Sequence, residues 1–354
     1  MATIGIIGAG ICGLQIAYDV LKAGHEPIVY EWMPYLGAGA SGYNAGVIHV
    51  IQPPFKSIKS ILCLEGNKEY PKLAKELGFK IRFLKAYLVS KGIVRTPLLY
   101  IASLYLRRMG YKVRYVGRRE VINACKDVSR DIGGGVEVDG YAVVDPKNVL
   151  DSFYKYLKDS GVEFRFGDKV DSLSISRDGI HLYSSDEKVY DYVIIAAGGY
   201  TRDLAKNIDI NPPSQRFARG VMVISKLECH NIIARLELSG KNRYTKGGGV
   251  IPRVDGETVL FGPTFKWTKN PMDNTVSKDE ISKTINQYRD LINVEPEVSS
   301  AYAGTRTINW PTDDYIIKFL YGKIAILYGI DSPGFTASPA ISKKVIEGLK
   351  LYTA

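Results

Sequence analysis

The sequence predicts an α/β protein: a Rossmann-like unit at the N-terminus, and further along a second region built on a mixed, largely antiparallel sheet. Three observations carry that expectation. The chain opens on a strand–turn–helix–strand unit, Thr3–Glu31. An apolar run at Tyr190–Thr201 suits a fully buried parallel strand, and another from Ile324 onward a buried strand. Between them, Gln215–Ile224 and Gly248–Gly262 alternate in the manner of antiparallel strands, with Val254–Glu257 as a turn.

In the opening unit, Ile4, Ile6 and Ile7 form a short buried strand, and Gly8, Gly10 and Gly13 follow as G-x-G-x-x-G. Ile11, Leu14, Ala17, Tyr18 and Leu21 then recur at helical spacing, and Gly24 closes the helix. Pro27–Tyr30 is the second strand, ending on the carboxylate of Glu31. Each part has a physical task. Gly8 permits the tight turn, Gly10 lets a pyrophosphate approach the backbone, and Gly13 lets helix and strand pack closely. The helix N-terminus offers free N–H groups and a partial positive charge. Glu31, about 20 residues on, can accept hydrogen bonds from ribose hydroxyls. The unit therefore points to a dinucleotide, without saying which.

Bulk properties narrow the partners. The 354 residues suffice for two domains. No stretch reaches the roughly 18 apolar residues of a membrane span. The first strand begins at Thr3, leaving no room for a signal peptide, so a cytoplasmic location is expected. Cys12, Cys63, Cys125 and Cys229 are scattered with no C-x-x-C pair. That spacing argues against a zinc or iron–sulfur site and against a disulfide framework. The net charge of +10 points to an anionic partner: cofactor phosphates, a phosphorylated substrate or an acidic membrane surface. Lys and Arg are spread along the chain rather than clustered in a binding module, so nucleic acid is not expected. Glutamine occurs only at Gln15, Gln52, Gln215 and Gln287 while Tyr and Lys abound, a composition in keeping with a thermophilic source.

After Glu31 comes Gly37–His49, a run of small residues that lets backbone approach a flat ligand. Ser57–Leu77 reads as a helix interrupted near Pro71, and Ile81–Ser90 as a strand opening the second region. Thr96–Met109 has Thr96 as N-cap, Pro97 in the first turn and Arg107–Arg108 at its end. Its apolar residues fall on nearly every side. Such a helix is either buried or docks on a membrane or partner. In the docked case Leu99, Ile101 and Leu104 make contact, helped by Arg107, Arg108, Lys112, Arg114, Arg118 and Arg119. Gly140–Leu150 is a strand passing into a helix at Asp145-Pro146, and Val162–Phe166 is a further strand. Ser277–Leu291 reads as helix and Val298–Ile308 as strand. The last segment is a buried strand, a Ser-Pro-Gly-Phe loop and a helix opening near Ala337 with Pro339 in its first turn.

Several segments together carry a resemblance: SGYNAGVIH (41–49), TKGGGVIPRVDGETVLFGPT (245–264), AGTR (303–306) and GIDSPGFTASPAI (329–341). With the opening unit, they make the chain resemble the D-amino-acid-oxidase-type FAD-dependent oxidoreductases. It is most similar to FAD-dependent glycerol-3-phosphate dehydrogenases, then to L-2-hydroxyglutarate dehydrogenases. The resemblance implies FAD as cofactor and a discontinuous FAD-binding domain at 1–80, 145–210 and 315–354. The substrate-binding domain would then comprise 81–144 and 211–314. It also implies FAD contacts from Gly39, Ala40, Ser41, Asn44, Gly46 and Val47, and an adenine cradle at Val170. Further contacts would come from Ala197 and Gly198, from Gly304, and from Gly329 with Pro333, Gly334, Phe335 and Thr336.

Oxidation of a secondary alcohol needs hydride loss from carbon and proton loss from the hydroxyl. A base with a pKa near working pH serves the second task, and histidine fits. Of the four histidines, His25 sits in the turn before the second strand, His181 on an exposed-looking strand and His230 in a polar loop. His49 closes the small-residue motif and is the expected base; its alternative role is to hydrogen-bond or tether the flavin. Arg306 matches the family arginine that binds the substrate anion, which a guanidinium can grip in bidentate fashion. Lys246 and Arg253 lie on the segment that faces substrate in relatives. Arg253 departs from the family pattern there.

The expected reaction is oxidation of sn-glycerol 3-phosphate to dihydroxyacetone phosphate. L-2-hydroxyglutarate or another 2-hydroxy acid is the alternative substrate, followed by an amine or amino acid, or by a flavin electron-relay subunit. The chain stops at Ala354, just past the last FAD-domain helix. Electrons are therefore expected to leave to a quinone, a partner protein or a soluble acceptor, with peripheral contact at the inner face of a membrane.

Overall fold

In a computed structural model, which describes residues 1–92, 96–236 and 248–352, the opening unit becomes the centre of a six-stranded sheet. The strand order is 316–320, 324–328, 192–195, 3–7, 26–31, 163–166, and only the first pair is antiparallel. Buried on both faces, the central strands read as apolar runs rather than as alternations, as parallel strands should. The described helices are α1 (Ile11–Lys22), α2 (Ile58–Leu77), α3 (Thr96–Arg108), α4 (Arg118–Ala124), α5 (Pro146–Asp159), α6 (Thr201–Ala205), α7 (Lys278–Tyr288) and α8 (Gly334–Leu349). Helices α1, α2, α5 and α8 share one core with this sheet, filled by Ile4, Ile6, Leu14, Val29, Phe153 and Ile341.

A larger mixed sheet lies beside it. Strands Ile81–Lys91 and Ile132–Val144 pair antiparallel, as do Gln215–Lys226 and Glu297–Asn309 along their whole length. Ile232–Arg235 runs parallel to the first of these, which makes the sheet mixed. The short strand Val47–Ile48 joins its edge against Ala142 and Val143, so the small-residue segment passes between the two sheets. A three-stranded antiparallel sheet (172–175, 180–183, 187–190) completes the fold.

Four expectations change. Helix α2 runs unbroken through Pro71, held by the buried residues Tyr70, Leu73 and Ala74 around it. Helix α8 begins at Gly334 rather than near Ala337, which puts Pro339 in its second turn. Helix α3 is neither fully buried nor free. Leu99 and Leu106 are in the core beneath the sheet, whereas Leu98, Tyr100, Ile101, Leu104 and Tyr105 are exposed. Leu99 is therefore a packing residue, not a docking one. Finally, Cys125 and Cys229 form a disulfide across 104 residues of sequence, with Cα atoms 4.0 Å apart. The fold brings the end of α4 and the turn after Gln215–Lys226 together as an isolated antiparallel bridge. Spacing along the chain carries no trace of that pairing. No described helix is long and apolar enough to cross a membrane.

Candidate active site

The two sheets enclose an elongated cavity of about 650 Å³. One end is built by the opening unit. Gly8, Gly10 and Glu31 line it, and Glu31 accepts hydrogen bonds from the backbone N–H groups of Ala9 and Met33, both at 3.0 Å. Burial raises the pKa of this carboxyl, against the opposing effect of those N–H donors. Gly13 lies behind the wall. A Cβ there would stand 1.9 Å from the carbonyl oxygen of Gly8, so only glycine lets α1 start so close to the turn. The first turn of α1 carries no acidic residue and no side-chain cap. The Ser41 hydroxyl accepts from the N–H of Ile11 at 3.0 Å, and with no carboxylate in that turn the positive end of α1 suits an anionic ligand in the cavity.

Gly39, Ala40, Ser41, Asn44 and Val47 line one side, with Val170, Ala197 and Gly198 near the nucleotide end. Asn44 shapes its own loop: its amide donates to the Ser41 carbonyl at 2.7 Å and its oxygen accepts from Gly46 N–H at 2.7 Å. Gly46 is not in the wall; its carbonyl accepts from Val144 N–H at 2.9 Å and ties the loop to the larger sheet. Cys12 also faces the cavity, and burial pushes its thiol up to about 12, so it stays protonated.

The far end collects His49, Gly304, Arg306 and Asp331–Thr336. His49 follows strand Val47–Ile48. Its backbone N–H donates to the Thr336 hydroxyl at 3.1 Å, and its carbonyl accepts from the Asn67 amide at 3.0 Å. Arg306 sits on strand Glu297–Asn309 in register with Ala218, its guanidinium 5.7 Å from the Phe265 ring centre. Burial lowers the pKa of Arg306, and Asp331 and Asp313 oppose that shift. Asp313 bonds Lys59, and Asp314 caps the start of α2 through Ile58 and Lys59 N–H at 2.9 Å each.

Other expected residues are elsewhere. Arg253 is absent from the cavity wall: it reaches Asp255 at 3.3 Å and Asp145 at 3.7 Å, so local carboxylates hold it on the hairpin. Gly329 lies behind the wall, packed on the Asn309 side chain. Lys246 lies outside the described residues. The other histidines are remote: His25 accepts from Ala2 N–H at 3.2 Å, and His181 bonds Asp178 and Glu187 on the small sheet.

Two groups of residues at or behind the wall were not anticipated. Pro263, Pro271 and Met272 roof the cavity. Buried Arg219 holds that roof to α7, reaching Glu280 at 2.6 Å and Asp273 at 3.3 Å, and pulls the Glu280 carboxyl down to about 2. The second is the buried group Lys59, Asp313 and Asp331. The ion pairs that build them join residues more than 50 apart in sequence, and nothing local marks them.

The cavity fits a flavin dinucleotide in its donor set: the N-terminus of α1 and the Glu31 carboxylate at one end, small residues along the side, and histidine and arginine at the other. Comparison with known proteins agrees. Residues 3–347 match the family described as FAD dependent oxidoreductase (DAO). A glycerol 3-phosphate oxidase of Mycoplasma pneumoniae is 24% identical, the alignment covering 96% of this chain and 92% of the relative. The mitochondrial L-2-hydroxyglutarate dehydrogenase of Arabidopsis thaliana is 22% identical, covering 96% and 82%. Among solved structures, dithionite-reduced L-α-glycerophosphate oxidase from Mycoplasma pneumoniae with FAD bound superposes with a TM-score of 0.85, at 23% identity, over 99% of this chain and 95% of that one. The chain belongs to the DAO family of FAD-dependent oxidoreductases.

Proposed function

We propose that this flavoenzyme oxidises sn-glycerol 3-phosphate to dihydroxyacetone phosphate. The observation that carries the reading is that one imidazole and one guanidinium, His49 and Arg306, line the same cavity as the nucleotide-binding turn. Bound FAD supplies a two-electron hydride acceptor. Arg306 holds the phosphate of the substrate, and so orients the carbinol C–H toward the cofactor. His49 takes the hydroxyl proton as the hydride leaves C2, so one proton and one hydride together account for the alcohol-to-ketone change. Backbone bonds to Thr336 and Asn67 on either side of His49 fix where its ring starts from. The wall at Pro263, Pro271 and Met272 keeps water from the reacting carbon. Lys246 and Arg253 are not needed for this reading. The electrons pass on to an acceptor such as a quinone or a partner protein.

The test is anaerobic mixing of the FAD-loaded protein with sn-glycerol 3-phosphate, L-2-hydroxyglutarate or glycine in turn. Rapid loss of the oxidised-flavin absorbance with glycerol 3-phosphate alone is expected. Bleaching by the 2-hydroxy acid or by glycine instead would overturn the substrate assignment.

A further inference from the structure

Behind the reaction end of the cavity, one face of α2 carries Lys59, Cys63, Gly66 and Asn67 at helical spacing, backing the segments that form the wall there. Asn67 holds the His49 carbonyl at 3.0 Å, and the Cys63 thiol donates to the same oxygen at 3.6 Å. A Cβ on Gly66 would stand 2.1 Å from the Thr336 carbonyl oxygen, so α2 lies directly against the start of α8. Lys59 begins the row and is its charged member.

Lys59 is 1% exposed, within reach of two buried carboxylates: Asp313 at 2.7 Å and Asp331 in a closer contact. Asp331 belongs to the cavity wall and opens the loop that leads into α8. Its backbone carbonyl accepts from the Tyr315 hydroxyl at 2.8 Å and from Gly334 N–H at 2.5 Å. Side chain and backbone of one residue thus tie the loop to α2, to Tyr315 and to its own end. Such burial is costly: each ion gives up several kcal/mol of hydration, and well-packed apolar residues often serve stability as well or better. The cluster needs another reason to exist. This group of Lys59, Arg306, Asp313 and Asp331 sums to zero charge, with the Asp314 carboxylate beside it bonded to the N–H groups that open α2. Without Lys59 it would carry a net negative charge at the cavity end remote from the nucleotide turn, where the ring system of the cofactor would lie.

We propose that Lys59 is a positioning residue of the redox site: through Asp331 it fixes the loop that delivers the N-terminus of α8 to the flavin ring, and it cancels carboxylate charge that would oppose electron uptake there. The proposal rests on the orientation of FAD in the cavity, not on which alcohol is oxidised.

The test is a reductive titration of FAD-loaded protein with dithionite against a redox dye, which uses no substrate and so stands even if glycerol 3-phosphate is not oxidised. In Lys59→Met, the ratio of reduced to oxidised flavin at a fixed dye potential should fall on the order of tenfold, the effect of one unit charge at about 10 Å in a medium of effective dielectric about 20. Asp331→Asn should move the ratio the other way, and Lys59→Met/Asp331→Asn should return it toward wild type. The Asp331→Asn arm keeps the test intact if Lys59→Met does not fold. A purely structural Lys59 would lower the melting temperature and leave the ratio unchanged in every FAD-loaded variant. That result would overturn the proposal.

Discussion

At the scale of single residues, the backbone of His49 is held on both sides and its ring is the proposed base. Thr336 and Asn67 contact its N–H and its carbonyl, bonds that asparagine at this position retains. His49→Asn should therefore bind FAD as wild type does while slowing flavin reduction by about 10²–10⁴-fold, the usual worth of a general base. Stopped-flow absorbance gives the rate, and a near-normal rate would remove the imidazole from the proposed mechanism. Legibility also divides at this scale. The turn of Gly8, Gly10 and Gly13 and the placement of Glu31 beside it are readable because they follow from neighbours close in sequence. Arg253 stands outside the cavity wall for the complementary reason: the carboxylate of Asp255, two residues on, competes for its guanidinium, and motif position does not register that competition. Lys59 gives no sign of itself, since its partners stand at 313 and 331.

At the scale of elements, periodicity carries most of the information, and boundaries suffer where tertiary packing overrides it. Helix α2 continues through Pro71 because the core supports both sides of the missing N–H. Helix α8 starts early because the loop ending in Gly334 is tied to Asp331. The disulfide is the clearest case of information absent from spacing. It joins α4 to the far part of the larger sheet, closing a loop long enough to restrict the unfolded chain considerably. Replacing Cys125 and Cys229 with Ser should cost roughly 2–4 kcal/mol. Thermal or denaturant unfolding of the variant and of wild type with and without reductant measures it. Equal stability in all of them would mean that the bond does not form in solution.

At the scale of the whole molecule, one long ligand explains why two sheets meet where they do. The small-residue segment leaves the first sheet, passes Ser41 and Asn44, and joins the second at Val47–Ile48, delivering His49 to the interface. The second sheet contributes Gly304 and Arg306, and the chain then returns to supply Asp331–Thr336. Nucleotide and reaction ends thus come from segments hundreds of residues apart, and the local patterns show each segment but not their meeting. If the proposed chemistry is right, breaking the C2–H bond of glycerol 3-phosphate is what bleaches the flavin. The most direct measurement is anaerobic stopped-flow reduction by sn-glycerol 3-phosphate carrying hydrogen or deuterium at C2. The account predicts fast bleaching that slows with deuterium, with dihydroxyacetone phosphate formed in equal amount to the flavin reduced. Absence of bleaching, or bleaching without that product, would contradict it.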